Sequence, residues 1–187
     1  MSCRIYIQKY SYENIERGKR KKQESANGMV LLSYAVKDSC GIDTSLLHIA
    51  RGDHGKPYFE NSSVMFNISH SGDYAAAAVC SLPVGVDIQI FRNINERMIE
   101  KLCRYEELEY IRSAPDKNKA FVHLWSLKES YIKATGDGMS FPMDSINFDI
   151  RGFSGELCGR FSNREGFYFL REYRDFALAA CVLDVGV

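Results

Sequence analysis

Three short stretches of this sequence carry side chains that could do chemistry together. In Phe66-Asn-Ile-Ser-His-Ser-Gly-Asp73, the hydroxyls of Ser69 and Ser71, the Gly72 backbone and the His70 imidazole offer hydrogen-bond donors at short range, a set suited to an anion. A polar turn with a capped histidine has the same composition. In Val84-Gly-Val-Asp-Ile-Gln89, an aspartate in an apolar strand is costly to bury unless paired or metal-bound. Alternation puts Asp87 and Gln89 on one face, and both offer oxygen to a hard cation such as Mg²⁺. Asp87 as a plain strand terminator is the other reading. In Trp125-Ser-Leu-Lys-Glu-Ser-Tyr-Ile-Lys133, helical spacing aligns Trp125, Glu129 and Lys133 on one face. A carboxylate one turn before an ammonium can serve a metal and a phosphate at once. The same pair is otherwise a surface ion pair worth about 0.3–0.5 kcal/mol.

Positioning these groups requires a mixed fold. Apolar alternation predicts strands over 3–7, 64–68, 74–80, 84–88, 146–150, 167–172 and 176–183. Steps of three and four predict helices over 25–36, 96–112 and 119–135, the last stopped by Gly136. Residues 39–63 read as loop-rich, and charge piles up over 16–24. The stretch Asp73-Tyr-Ala-Ala-Ala-Ala-Val-Cys80 matches Asp175-Phe-Ala-Leu-Ala-Ala-Cys-Val182 at four of eight positions. Alanine is a poor strand former, so two such strands suggest close packing under helices in a duplicated unit. The expected fold class is α+β. Two similar α/β halves, residues 1–90 and 91–187, would each hold an antiparallel sheet, related by a pseudo-twofold with a cleft between them.

Composition narrows the function classes. The 24 Lys and Arg balance 24 Asp and Glu, which argues against a surface tuned for nucleic acid or anionic membrane. No apolar run approaches the ~20 residues of a membrane span, and the polar start Met1-Ser2-Cys3-Arg4 does not read as a signal peptide. A cytoplasmic location is expected. The six cysteines form no C-x-x-C pair and make no short-spaced metal motif with the four histidines. Cys80, Cys103 and Cys181 read as small reduced core residues.

The order and surroundings of these stretches resemble the 4′-phosphopantetheinyl transferases of the surfactin-synthetase-activating type, in which one chain holds two similar halves. The resembling residues are Gly55-Lys-Pro57, Phe66-Asn-Ile-Ser-His-Ser-Gly72, Val84-Gly-Val-Asp-Ile88, Leu124-Trp-Ser-Leu-Lys-Glu-Ser-Tyr-Ile-Lys133 and the glycine-bracketed loop Gly136 to Asp144. The resemblance implies transfer of the phosphopantetheine arm of coenzyme A to a serine of an acyl, peptidyl or aryl carrier protein, releasing adenosine 3′,5′-bisphosphate. It implies Mg²⁺ held by Asp87 and Glu129, with Gln89 where many relatives carry a second acid. Lys133 would meet the pyrophosphate, Ser69 and His70 the 3′-phosphate, and Gly55, Lys56 and Pro57 the adenine end. Glu129 and Lys133 would be catalytic, Glu129 also accepting the serine proton. Asn27 falls where relatives carry a basic phosphate contact, and the run Lys19-Arg-Lys-Lys22 just upstream either substitutes for it or is a solvated basic patch. Glu107 resembles a further family acid. An acidic carrier would meet Lys101, Arg104, Arg112 or Lys117-Asn-Lys119. A monomer is expected, with no nucleic-acid or membrane partner. Gln89 keeps a second reading open: a homologue that binds coenzyme A or a carrier without transfer.

Overall fold

The two alanine-rich strands are interior strands of two separate sheets. The computed structural model describes residues 3–13, 15–16, 18–138, 140–160 and 166–184; Met1, Ser2, Arg17 and Met139 of the stretches above lie outside them. In the first sheet β1 (Arg4–Lys9) pairs with β5 (Tyr74–Cys80), which pairs with β4 (Met65–Ser71), all antiparallel. In the second, the order is β6 (Val84–Ile90), β9 (Phe176–Val182), β8 (Phe167–Glu172) and β7 (Glu156–Arg160), again antiparallel. The helix α1 (Arg20–Cys40) covers the first sheet, and α4 (Lys117–Thr135) the second. Each half therefore repeats one plan: a strand, a helix, then a hairpin whose last strand lies beside the first. The strand β6, read from sequence with residues 1–90, hydrogen-bonds into the second sheet.

Alternation explains why alanine recurs. Ala75, Ala77 and Val79 face α1 with Leu31, Leu32, Ala35 and Val36. Ala76, Ala78 and Cys80 face the other sheet, meeting Phe176, Leu178 and Ala180. In β9 the roles repeat, with Ala177, Ala179 and Cys181 under α4. Interior strands packed on both faces leave little room, so β5 carries small side chains on both faces and β9 mainly on the face under α4.

The sheets are joined without a backbone ladder. Asn67, Ser69 and Ser71, alternate residues of β4, accept hydrogen bonds from the backbone N–H groups of Val86, Ile88 and Ile90 at 2.9, 3.3 and 3.2 Å. The polar face of β4 thus satisfies the outer edge of β6, whose donors would otherwise be buried unpaired.

Four expectations change. The helix read over 96–112 is two: α2 (Glu96–Leu102), capped by Asn95, and α3 (Tyr105–Ser113). The break at Cys103 and Arg104 is held because Glu107 accepts from the Arg104 N–H at 2.9 Å while the Lys128 ammonium donates to the Leu102 carbonyl at 3.0 Å. Residues 146–150 bury Ile146, Phe148 and Ile150 in alternation yet, among the described residues, join no sheet. The loop-rich region contains a small hairpin, β2 (Ile49–Arg51) with β3 (Pro57–Phe59). Finally, α1 begins at Arg20, inside the charged run, where an Arg20–Glu24 pair at 2.9 Å spans one turn.

On α4, His123 is 4% exposed between the rings of Phe91 and Phe153. Its Nε2 lies 3.1 Å from Glu172 Oε2, and Nδ1 has no hydrogen-bond partner among the described residues. Burial holds its pKa below the ordinary value, outweighing the upward pull of Glu172. The unfolded chain therefore takes up this proton first on acidification. Stability should fall as pH drops through the unfolded value of about 6.5 toward the folded one. Urea unfolding at graded pH should show a shallower loss over that window in His123→Phe than in the parent; equal slopes would exclude the histidine as the cause.

Candidate active site at the seam between the sheets

Asp87 leaves β6 on the face toward α4, 4% exposed. Its Oδ1 accepts hydrogen bonds from Ser69 Oγ at 3.0 Å and Lys133 Nζ at 2.6 Å, and Lys133 Nζ also donates to Ser69 Oγ at 2.9 Å. Its Oδ2 is buried with no hydrogen-bond partner among the described residues. One turn before Lys133 on α4, Glu129 is 6% exposed, and its Oε1 too is buried and unpartnered. Burial raises the Glu129 pKa, the Asp87 charge adds to that, and Lys133 opposes it.

The approach of α4 to β6 depends on Gly85. A Cβ there would lie 2.0 Å from the Ser130 carbonyl oxygen and 2.4 Å from the Ala134 nitrogen, backbone atoms that move only with the whole helix. Gly85→Ala should cost about 1–3 kcal/mol by overpacking and draw Glu129 and Lys133 away from Asp87. Urea unfolding measures the first effect; a midpoint equal to the parent's would show that the helix is free to give way.

Of these groups, Glu129 and Lys133 line a cleft of about 220 Å³, together with His54, Gly55, Lys56, Pro57, Asn67, Ile132, Gly136 and Gly138. Lys56 crosses its floor and donates to the carbonyls of Ala134 at 2.9 Å and Val84 at 3.2 Å. Its ammonium so sits at the C-terminal end of α4, where a cation is favoured, although burial pushes its pKa down to about 8.

Ser69 and His70 are not brought together. They are successive residues of a strand, with only Gly72 and Asp73 forming the turn to β5, so their side chains point to opposite faces. Ser69 is turned into the seam. His70 faces α1, its Nδ1 3.8 Å from Glu24, beside Arg20, which donates to Glu24, Gly72 and Asp73. Asn27 is engaged with Gln23 and Tyr12, and Lys19 pairs with Glu16 at the surface. Gln89 is half-buried two residues beyond Asp87. Trp125 packs on Phe121 at the core margin. Glu107 does not line the cleft; it pairs with Lys128. Sequence reading missed the seam role of Asn67, for which the alternating Asn-x-Ser-x-Ser of β4 is the signal.

Among the described residues no group of three His, Cys, Asp or Glu side chains gathers for a metal. The two buried, unpartnered carboxylate oxygens of Asp87 and Glu129, with the Gln89 amide nearby, nevertheless fit a hard cation that completes its shell with water and substrate oxygens.

Residues 83–181 match the family described as the 4′-phosphopantetheinyl transferase superfamily, and residues 4–82 match the description 4′-phosphopantetheinyl transferase, N-terminal. The chain belongs to the 4′-phosphopantetheinyl transferase superfamily. Within it, the chain is 32% identical over 162 residues to a Bacillus subtilis 4′-phosphopantetheinyl transferase, covering 82% of this chain and 71% of that one. It is 36% identical over 124 residues to the Aneurinibacillus migulanus 4′-phosphopantetheinyl transferase gsp, covering 65% and 52%. The Xenopus laevis L-aminoadipate-semialdehyde dehydrogenase-phosphopantetheinyl transferase is 30% identical over 149 residues, covering 70% and 49%. The chain thus spans about half the length of the last two. A solved structure, Thermotoga maritima holo-[acyl-carrier-protein] synthase, aligns over 55% of this chain and 63% of that one at 19% identity and TM-score 0.38. The α+β architecture rests on the sheets and helices of this chain itself. No helix of the described residues is long and apolar enough to cross a membrane.

Proposed function

We propose that this 4′-phosphopantetheinyl transferase superfamily member moves the phosphopantetheine arm of coenzyme A onto a serine hydroxyl of an apo acyl, peptidyl or aryl carrier protein. The observation that carries the reading is the pair of buried carboxylates, Asp87 and Glu129, each with an unpartnered oxygen, beside the Lys133 ammonium. Asp87 and Glu129, with Gln89 as a neutral neighbour, would hold Mg²⁺, which supplies Lewis-acid polarisation of the phosphoryl group when bound. The serine oxygen attacks the pantetheine-side phosphorus, its bond to the leaving phosphate breaks, and adenosine 3′,5′-bisphosphate departs. Glu129, with its raised proton affinity, accepts the serine proton. Lys133 neutralises charge on the pyrophosphate, and Ser69 holds the Asp87 carboxylate in place. Gly55, Lys56 and Pro57 form the adenine end of the cleft. On the α1 side, the His70 ring and the Arg20 guanidinium would offer hydrogen-bond donors to a 3′-phosphate. Carriers would dock on Lys101, Arg104, Arg112 or Lys117 to Lys119. The chain would act as a monomer in the cytoplasm.

The test is to incubate the protein with coenzyme A, Mg²⁺ and a panel of apo carriers, one from the same organism, and to weigh the carriers. One or more should gain the arm. If none does at any Mg²⁺ concentration, transfer is wrong; coenzyme A binding measured alongside would then favour the binding-only reading that Gln89 keeps in play.

A further inference from the structure

We propose that Cys3 and Cys80 form a reversible thiol–disulfide couple that responds to hydroperoxides and staples β1 to β5. The β1–β5 register pairs Arg4 with Val79, so the next position outward sets Cys3 opposite Cys80. Facing residues of antiparallel strands have Cα atoms about 4.5–5.5 Å apart, inside the span a disulfide bridges, about 4.4–6.8 Å. Both side chains leave their strands on the face between the sheets, in the apolar cluster with Ile5, Ile7, Ala76 and Ala78. Both also line one cavity of about 450 Å³, so a small oxidant has a place to meet them.

The pair is electronically asymmetric. The Leu82 N–H donates to Cys80 Sγ at 3.5 Å, from the turn that leads into β6. A hydrogen bond from the Cys3 thiol outweighs burial and pushes the Cys80 pKa down to about 6, while the same bond raises Cys3. The direction of these shifts favours Cys80 over Cys3 as the sulfur that meets the oxidant first. The other four thiols differ. Burial pushes Cys103 up to about 11 and Cys181 up to about 12, while Cys40 and Cys158 are exposed.

The chemistry balances without a further reactant. The Cys80 thiolate attacks one oxygen of hydrogen peroxide, the O–O bond breaks, and hydroxide leaves to become water, giving Cys80 sulfenic acid. The Cys3 sulfur attacks the Cys80 sulfur, the S–O bond breaks, and the hydroxyl departs as a second water with the Cys3 proton. Two thiols lose two electrons and two protons, and the peroxide gains them. The product closes a long loop from β1 to β5, restraining the unfolded chain and pinning the edge strand. Neither Asp87 nor Glu129 is touched, so the couple tunes stability independently of any transfer reaction.

The full chain titrated with hydrogen peroxide should yield a Cys3–Cys80 cross-linked peptide lighter by about 2 Da and reversible by dithiothreitol. Its urea midpoint should exceed that of the reduced protein. In Cys3→Ser, dimedone should capture Cys80 as the sulfenic acid. The proposal fails if Cys40 and Cys158 oxidise while Cys3 and Cys80 both remain open to alkylation. It fails equally if the reduced and oxidised midpoints coincide, or if a folded Cys3→Ser leaves Cys80 unlabelled by dimedone.

Discussion

Asp87→Asn and Glu129→Gln should each lower transfer to a carrier by about 10³-fold or more, a loss of about 4 kcal/mol of transition-state stabilisation. Both replacements keep shape and remove one negative charge from the place where a cation and a pyrophosphate must be balanced. The fold should survive both. Asparagine can still accept from Ser69 through its amide oxygen, and Lys133, 26% exposed at its side chain, can turn toward solvent when its partner is gone. Glu129→Gln should hold stability or raise it slightly, because burial already disfavours the ionised carboxyl. Initial transfer rates at saturating coenzyme A and Mg²⁺, set beside urea midpoints, separate the two effects. A variant that keeps turnover within tenfold of the parent removes its residue from the catalytic machinery.

Loss of the Glu107 carboxylate should be the costliest change to stability outside the cleft. Its Oε2 accepts from Lys128 Nζ at 2.6 Å and from the Arg104 N–H at 2.9 Å, and its Oε1 accepts from the Phe148 N–H at 3.2 Å. The two side chains are 0% and 2% exposed. Glu107→Ala strands an ammonium in the core and is expected to cost about 3–5 kcal/mol. The double variant Glu107→Leu, Lys128→Met should recover much of that loss, because it removes the buried charge as well as its partner. Urea unfolding of both single variants and the double closes the cycle. A Glu107→Ala cost below about 1 kcal/mol would mean that water reaches Lys128.

This pair also marks where sequence reading stopped. Glu107 and Lys128 stood in plain view, but nothing in their spacing says that they meet across two helices. The same gap hid the break between α2 and α3: the apolar steps run on through Cys103, and only the clamp on Leu102 and Arg104 interrupts the helix. The segment 146–150 alternates as a strand should. Among the described residues it pairs with no strand, and the Phe148 N–H donates to Glu107 instead.

The chemistry of β4 was half legible. The residue types announced polar groups at the junction after a strand over 64–68, and the expected anion grip joined Ser69 to His70. Strand alternation, once β4 runs through Ser71, sends one into the seam and the other toward α1. Lys56 likewise read as a ligand contact, yet it caps the carbonyl end of α4 as it borders the cleft.

What the sequence alone determined is local. The turn between Glu129 and Lys133, the alternation that turns Asp87 toward one face, the stop at Gly136 and the small residues of β5 and β9 all follow from backbone geometry, which repeats over a few residues wherever the chain lies. The tertiary structure decided the meetings: Asp87 with Lys133 across 46 positions, Ser69 with Lys133 across 64, Lys56 with Ala134 across 78. Such contacts arise because two sheets share an edge through side chains and a glycine lets a helix settle against it. No periodicity encodes that approach, since its free energy comes from surfaces that exist only once both halves have folded.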